Sequence, residues 1–403
     1  MRKKYISFSL IFVILMLTLF PAVVMGSYYD NPGEEAFSKT HFELLIPQIT
    51  LGAKNNLFNL GNINIDLTPA GATEEFLAQM KDDRFTTDFS AELKSGLTIG
   101  RFSLHLHPWA TGSFRLAPGI PELIFVGYGP NDDGSTKTYD LAGTKVNGLA
   151  AVSLDFKYGH PIRLSEDSKL GVGVTFRYVK GMAMADSEVT SGTITVNEMG
   201  EATINTEGKY LYTNVGENYD DNISFNQLFP GSGVLADIGA VYGKDRWRAG
   251  LVLKNIGTIK WEEVCQGTYT YQGTVTAGPD GPESSDSEPV TTESVIYDYT
   301  QRLPLVLQTQ GSYRFFKSLY CNLGIETGLT DGWGYSSSPR IWTGVDWKPR
   351  FIRLAGDISY HEKQLSYSAL LELRLFFLWA NLKLGWTNDI GGLTASAMAA
   401  LHF

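Results

Sequence analysis

The sequence predicts an all-β chain folded as a single transmembrane antiparallel β-barrel of about fourteen strands, with short turns at one end and long loops at the other. Three observations lead there. Long stretches alternate strictly between apolar and polar residues, the connections between them fall into a short set and a long set, and an apolar leader at one terminus is matched by an aromatic residue at the other.

The leader comes first in chain order. Arg2, Lys3 and Lys4 precede an apolar run from Tyr5 to Val24, and Val24 and Gly26 suit the -3 and -1 positions of a signal-peptidase site. Residues 1–26 are therefore expected to be a cleaved export signal, 27–40 a short amino-terminal periplasmic or plug segment, and 41–403 the barrel. No second apolar run reaches the roughly 20 residues that a membrane-spanning helix needs, which argues against a helical membrane protein. The chain of 403 residues carries 33 basic and 43 acidic residues, a net charge of -10; without Arg2, Lys3 and Lys4 the balance is 30 against 43, or -13. That balance argues against a nucleic-acid partner.

The segment from Phe85 to Leu116 shows the strand pattern most clearly. Phe85, Phe89, Ala91, Leu93, Leu97 and Ile99 occupy odd positions; after Gly100-Arg101 the apolar residues move to even ones, Phe102, Leu104, Leu106, Ala110, Phe114 and Leu116. A two-residue turn at Gly100-Arg101 pairs Ile99 with Phe102, Leu97 with Leu104 and Leu93 with Pro108, putting every apolar side chain on one face. The same reading places strands at 41–52, 85–100, 101–116, 148–158, 169–182, 233–243, 246–257, 304–316, 319–330, 340–347, 351–361, 364–377, 378–387 and 393–403. A turn at Phe377-Leu378 is expected to set Glu372 opposite Lys383.

Tight turns near Gly100-Arg101, Gly243–Asp245, Lys317-Ser318, Lys348–Arg350 and Phe377-Leu378 alternate with long connections over 183–232 and 258–303. That asymmetry marks an outer-membrane barrel, whose apolar outer face meets lipid and whose backbone must pair internally throughout. Tyr178, Tyr242, Trp247, Trp347, Tyr360, Trp379 and Trp386 are expected in interfacial girdles. Leu393, Ala395, Ala397, Ala399, Leu401 and terminal Phe403 form a carboxy-terminal strand of the kind that barrel-assembly machinery recognises. A secreted sandwich or a propeller would show shorter strands or a blade repeat, and the chain shows neither.

The inferred inward faces carry Asp88, Glu92, Asp155, Asp237, Glu326, Asp346, Asp357 and Glu372 with Lys94, Arg101, Lys157, Arg177, Arg248, Lys254, Arg314, Arg353, Arg374 and Lys383. Such groups either line a pore of weak charge selectivity or pair and fill the lumen. No Ser, His and Asp assemble into a nucleophile system, so no catalytic residue and no cofactor are expected. His105 and His107 read as polar lining rather than metal ligands, and the acidic stretch "GENYDD" as solvated loop charge rather than a Ca²⁺ site. Cys265 and Cys321 lack metal or redox spacing. The topology puts them at opposite ends of the barrel, farther apart than the ~7 Å between Cα atoms that a disulfide spans.

Pro47 and Pro108 fall inside predicted strands. Proline donates no ladder hydrogen bond, so each predicts a bulge, a kink or a local parting of strands.

"YYDNPGEEAFSKTHFELLIPQITLGAKNN", with Asn31-Pro32 ahead of the first strand, resembles the entry segment of the fatty-acid transporter (FadL) superfamily. "GVGVTFRYVKG" and "GVLADIGAVYGKDRWRAGLVLKNIGTIKW", with Asp237, Gly239, Asn255, Gly257 and Trp261, resemble its middle strands. The resemblance implies a fourteen-stranded barrel and uptake of small hydrophobic solutes through a kinked third strand, where Pro108 falls. It also implies a lumenal plug, for which Ser27 to Thr40 is short. On that basis a solute route is expected beside Pro108, lined by His105, His107 and Trp109. A helix over "TEEFLAQMKDD", with Thr73 as N-cap and Phe76, Leu77 and Met80 on one side, is expected to shield an apolar site at the outer mouth. The alternative is a non-transporting structural or surface-interaction protein of the outer membrane.

Overall fold

The computed structural model of the chain describes residues 31–38, 41–56, 84–125, 133–213, 228–278, 281–286, 290–330, 335–361, 364–387 and 392–403, with Glu75, Leu77, Ala78, Gly127, Gly129, Pro130, Asn131, Gly332 and Trp333 besides. The export signal, Thr73, Phe76, Met80 and "GENYDD" lie outside the described residues.

The strands in chain order are β1 (Phe42–Asn55), β2 (Phe85–Ile99), β3 (Phe102–Leu116), β4 (Lys137–Asp140), β5 (Lys145–Arg163), β6 (Ser168–Val196), β7 (Ala202–Thr213), β8 (Gly231–Lys244), β9 (Trp247–Gly278), β10 (Gly281–Asp286), β11 (Val290–Gln301), β12 (Val306–Arg314), β13 (Leu319–Gly328), β14 (Arg340–Trp347), β15 (Ile352–His361), β16 (Gln364–Leu375), β17 (Leu378–Thr387) and β18 (Gly392–His402). All belong to one sheet. Fourteen of them close a ring, each antiparallel to the next, in the order β1-β2-β3-β5-β6-β8-β9-β12-β13-β14-β15-β16-β17-β18 and back to β1.

The predicted barrel is thus the observed one, and the alternation explains its faces. Along β3, Phe102, Leu104 and Leu106 are exposed on the outer wall while Ser103 and His105 are buried inside. Phe176, Tyr178, Val234, Ile238, Leu323, Ile358 and Leu371 continue the apolar exterior. In water such a surface would be an enormous apolar patch; against lipid it is the expected solution.

The other four strands correct the reading of the long connections as plain loops. β6 and β9 run past the barrel, and their outer halves carry β7 between them, β4 on the far side of β6, and β10 and β11 on β9. A short helix, α1 (Gly119–Phe125), precedes β4.

Two local expectations also change. The hairpin joining β16 and β17 turns at Phe376-Phe377, one residue earlier than predicted, with Phe376 in the left-handed region (φ 47°). Glu372 therefore faces Asn381, not Lys383. Trp379 points inward, stacked on His402 with ring centroids 3.6 Å apart, and is no girdle residue; Tyr178, Tyr242, Trp247, Trp347, Tyr360 and Trp386 do face outward. At the closing seam Phe403 exchanges backbone hydrogen bonds with Phe42 (3.1 and 2.8 Å) and its ring stacks on Phe377.

Both cysteines are free thiols, Cys265 on the outer half of β9 and Cys321 early in β13. Alkylation in denaturant without reductant should add two labels per chain by intact mass. Labelling only after reduction would contradict the topology.

Candidate functional site: a plugged lumen beside an interrupted wall

The lumen is built in layers. Near the short turns lies the amino-terminal segment, a 3-10 helical stretch Pro32–Phe37 capped by Asn31. The Asn31 side chain accepts from the Gly33 N–H (2.9 Å) and donates to the carbonyls of Ala240 on β8 (3.2 Å) and Leu251 on β9 (3.0 Å), which pair across those strands. One side chain thus starts the helical turn and ties it to two strands.

The wall makes room by omitting side chains. A methyl group on Gly159 of β5 would stand 2.6 Å from the Ala36 nitrogen, one on Gly243 of β8 2.8 Å from the Phe37 ring, and ones on Gly171, Gly173 and Gly239 would overlap Gly33, Pro32 and Asn31. Charge holds the rim: Arg248 meets Glu34 at 3.0 Å, Lys157 meets Glu35 at 3.7 Å, and Lys169 and Arg248 each sit 4.8 Å from the centroid of the Phe37 ring. Burial holds the Glu34 carboxyl above the usual carboxylate range despite the opposing pull of Arg248 and Lys348. The segment is as short as the sequence suggests, yet it enters the lumen and docks there.

Above the plug runs a polar belt. His107 Nδ1 lies 3.2 Å from Asp155 and its Nε2 3.7 Å from Glu92; the Ser153 hydroxyl donates to Asp155 (2.6 Å). Arg177 bonds Asp237 directly and Asn255 at 3.1 Å. A bulge in β9 explains this cluster: Asn255 adopts φ 63°, and the backbone N–H it presents donates to Asp237 (2.9 Å) while its side chain donates to the Pro304 carbonyl (3.0 Å). Tyr335, from the connection between β13 and β14, reaches the same cluster beside Arg177 and Asn255. Across the barrel the belt continues as Lys254 and Arg340 on Glu326 and Lys383 on Asp357. Nearer the short turns Arg353 joins Asp346 and Glu372. The charges of this belt are paired, as buried ions require.

Above the belt the inner wall turns apolar. Leu149, Ala151, Val179, Met184, Leu235, Ile259, Trp261, Val264 and Leu303 form one buried cluster, with Trp109 and Trp333 packed against it. Trp261 is itself fixed by donating to Gln301 (2.8 Å).

The wall beside this junction is irregular. On β1 the register shifts by one residue against both neighbours around Pro47, which is a bulge. Pro108 behaves differently. Its pairing with Val152 on β5 belongs to an unbroken ladder, whereas the β2–β3 ladder runs from Glu92–Trp109 to Ser95–Leu106 and omits Leu93–Pro108 and Lys94–His107 without a change of register. Both omitted pairs need the N–H that Pro108 lacks, so the interruption is one missing ladder hydrogen bond, and it strands no proline donor at the cost of about 1–3 kcal/mol. Gly96 sits two residues from the gap, and a Cβ there would stand 2.7 Å from the His105 Cα.

Of the predicted site residues, Pro108, His105, His107 and Trp109 come together here: His105 and His107 face the belt, and Trp109 faces the apolar cluster. Leu77 is half-buried in a helical turn with Glu75, and nothing described joins it to the lumen. The sequence reading missed the wall glycines and the inward connection bearing Trp333 and Tyr335. Glycine recurring at the inward positions 159, 171, 173, 239 and 243 was the available signal. Among the described residues no group of three or more His, Cys, Asp or Glu side chains could hold a metal ion.

The architecture that carries the site is a closed fourteen-stranded antiparallel barrel with a docked amino-terminal plug. The chain belongs to a family of unknown function, DUF5723, whose model matches residues 32–381. Among solved structures it is similar to a deltaS2S3 mutant of the TodX monoaromatic hydrocarbon channel, with a TM-score of 0.52 and 9% identity over 95% of this chain and 96% of that one. The Pseudomonas putida toluene transporter TodX gives 0.48 and 9% over 93% of each chain. A Pseudomonas aeruginosa FadL homologue gives 0.45 and 9% over 96% of this chain and 95% of that one. At 9% identity the first of these shows a likeness of fold alone. No curated protein matches the sequence.

Plug docking should fail when its wall glycines gain bulk. With both native cysteines replaced by Ser, a cysteine in place of buried Ala36 should react slowly with a maleimide in the folded barrel. Adding Gly173→Val should speed labelling by roughly tenfold or more, since overpacking costs about 1–3 kcal/mol. Equal rates in two barrels of unchanged heat-modifiable migration would show that the segment is not docked.

Proposed function

We propose that the protein is an outer-membrane channel for small hydrophobic solutes that leave the lumen sideways through the wall between β2 and β3. One observation carries this reading: the ladder is interrupted at Pro108, at the level where the apolar cluster gives way to the polar belt.

A solute that has shed water among Trp109, Trp261 and their neighbours meets paired charges and then the plug if it continues along the axis. Displacing paired, buried charges costs several kcal/mol each. The interrupted wall beside Trp109 offers an apolar exit to the bilayer instead. Entry is from the long-loop end, which export and barrel assembly through Phe403 would place outside the cell. His105 and His107 border the exit, and the His107–Asp155 contact holds one edge of it in place.

The alternative, a non-transporting structural or surface-interaction protein, is favoured by the paired lumen charges and by the β-sheet that β6, β7, β9 and β11 raise beyond the barrel. Uptake decides between them. Pro108→Val restores the missing donor, and one added ladder hydrogen bond contributes about 1 kcal/mol. Uptake of radiolabelled toluene or a fatty acid, in cells lacking other such channels, should therefore fall several-fold relative to the parent at equal surface amounts. Equal uptake by parent and mutant would rule out the lateral exit, and none above empty cells by either would favour the structural role.

A further inference from the structure

The short-turn mouth of the barrel contains a cavity of about 660 Å³ that neither the hydrophobic solutes nor the lateral exit uses. Its size lies within the usual range for small-molecule sites, about 300–1,000 Å³. Its lining is strongly basic. Arg163, Lys169, Lys244, Arg246, Arg248, Arg314 and Lys348 contribute seven cations against the four carboxylates of Glu34, Glu166, Asp167 and Asp245, an excess of three in a chain whose net charge is -10.

Several of these cations are already engaged. Arg248 pairs with Glu34, Lys348 with Asp346 at 2.9 Å, and Lys169 donates to the Ala36 carbonyl at 3.4 Å. Lys244, Arg246 and Arg314 have no carboxylate within ion-pair distance among the described residues. Arg246 and Arg314 are held side by side, because the Arg314 N–H donates to the Arg246 carbonyl at 2.9 Å. Two exposed arginines opposite each other on adjacent strand ends, lining a cavity that the plug also lines, offer guanidinium groups to an anion. The Phe37 ring and the Tyr320 ring, the latter 4.9 Å from the Lys348 ammonium at its centroid, give the same cavity an apolar surface.

We propose that this vestibule binds a small organic anion, a carboxylate on an aromatic or alkyl body, with Arg246 and Arg314 taking the charged group and the Phe37 and Tyr320 rings the body. Arg248, another of the seven cations, is occupied by the plug's own Glu34. Glu34 therefore acts as an internal competitor, and the burial that disfavours its charge makes it a weak one.

The test is equilibrium binding to the full mature chain in detergent, read by isothermal titration with benzoate, with inorganic phosphate and with uncharged benzamide. Benzoate should bind saturably at one site per barrel and benzamide should not bind. Arg246→Gln combined with Arg314→Gln should weaken benzoate about tenfold or more. Glu34→Gln should tighten it several-fold, whereas Glu166→Gln, which removes the same charge from the rim without touching Arg248, should change it less than twofold. Phosphate binding as tightly as benzoate would replace the organic anion by a general oxyanion site and overturn the role of the rings. Benzoate affinity unaffected by the paired arginine substitutions, or no saturable binding by a barrel of native heat-modifiable migration, would overturn the site.

Discussion

Every backbone donor and acceptor that faces an apolar solvent must be paired within the chain, and a sheet can meet that demand only by closing on itself. The fourteen-strand ring is the consequence, sealed where β1 meets β18 and where Phe42, Phe377 and Phe403 pack over the seam. Departures from the ladder then carry meaning, because each must be satisfied by something else. The β9 bulge is satisfied by the Asp237 carboxylate, which accepts from the Asn255 N–H. The gap between β2 and β3 is tolerated because the residue at its centre is a proline.

The inner wall follows from the same alternation by a different route. Inward positions are free of the lipid, so they can carry charge, glycine or bulk as the layer demands. Charge gathers where groups can pair, glycine where the plug lies against the strands, and Trp109, Trp261 and their neighbours where the barrel passes into the outer sheet. The plug is held chiefly by fit and by Asn31. Glu34 and Glu35 add ion pairs at the rim, although burial works against the Glu34 charge.

The barrel was legible because lipid-facing alternation leaves an unambiguous period of two across ten or more residues, and the number of such runs follows from counting. Extension of β6 and β9 past the membrane was hidden, since their outer halves are rich in Thr and Gly and the alternation of Tyr269, Tyr271 and Val275 with Thr268, Thr270 and Thr274 is short and broken by Gly273. One-residue details such as the Phe376-Phe377 turn depended on a left-handed backbone that phenylalanine gives no reason to expect. Pro108 announced an irregularity, and only the pairing on each side of β3 showed that it lies toward β2 alone. The plug's docking site is written in single glycines spread over β5, β6 and β8, which come together only around the closed ring.

The proposed solute route requires the wall between β2 and β3 to part. Ser95 and Leu106 face each other at the edge of the interruption, so a cysteine at each position can join the two strands there. Solute uptake by this double mutant, in a background without the native cysteines, is the most direct measurement. A lateral exit predicts that oxidation to the disulfide abolishes uptake, that reductant restores it, and that either single mutant is indifferent to both. Undiminished uptake by the fully oxidised double mutant would contradict it.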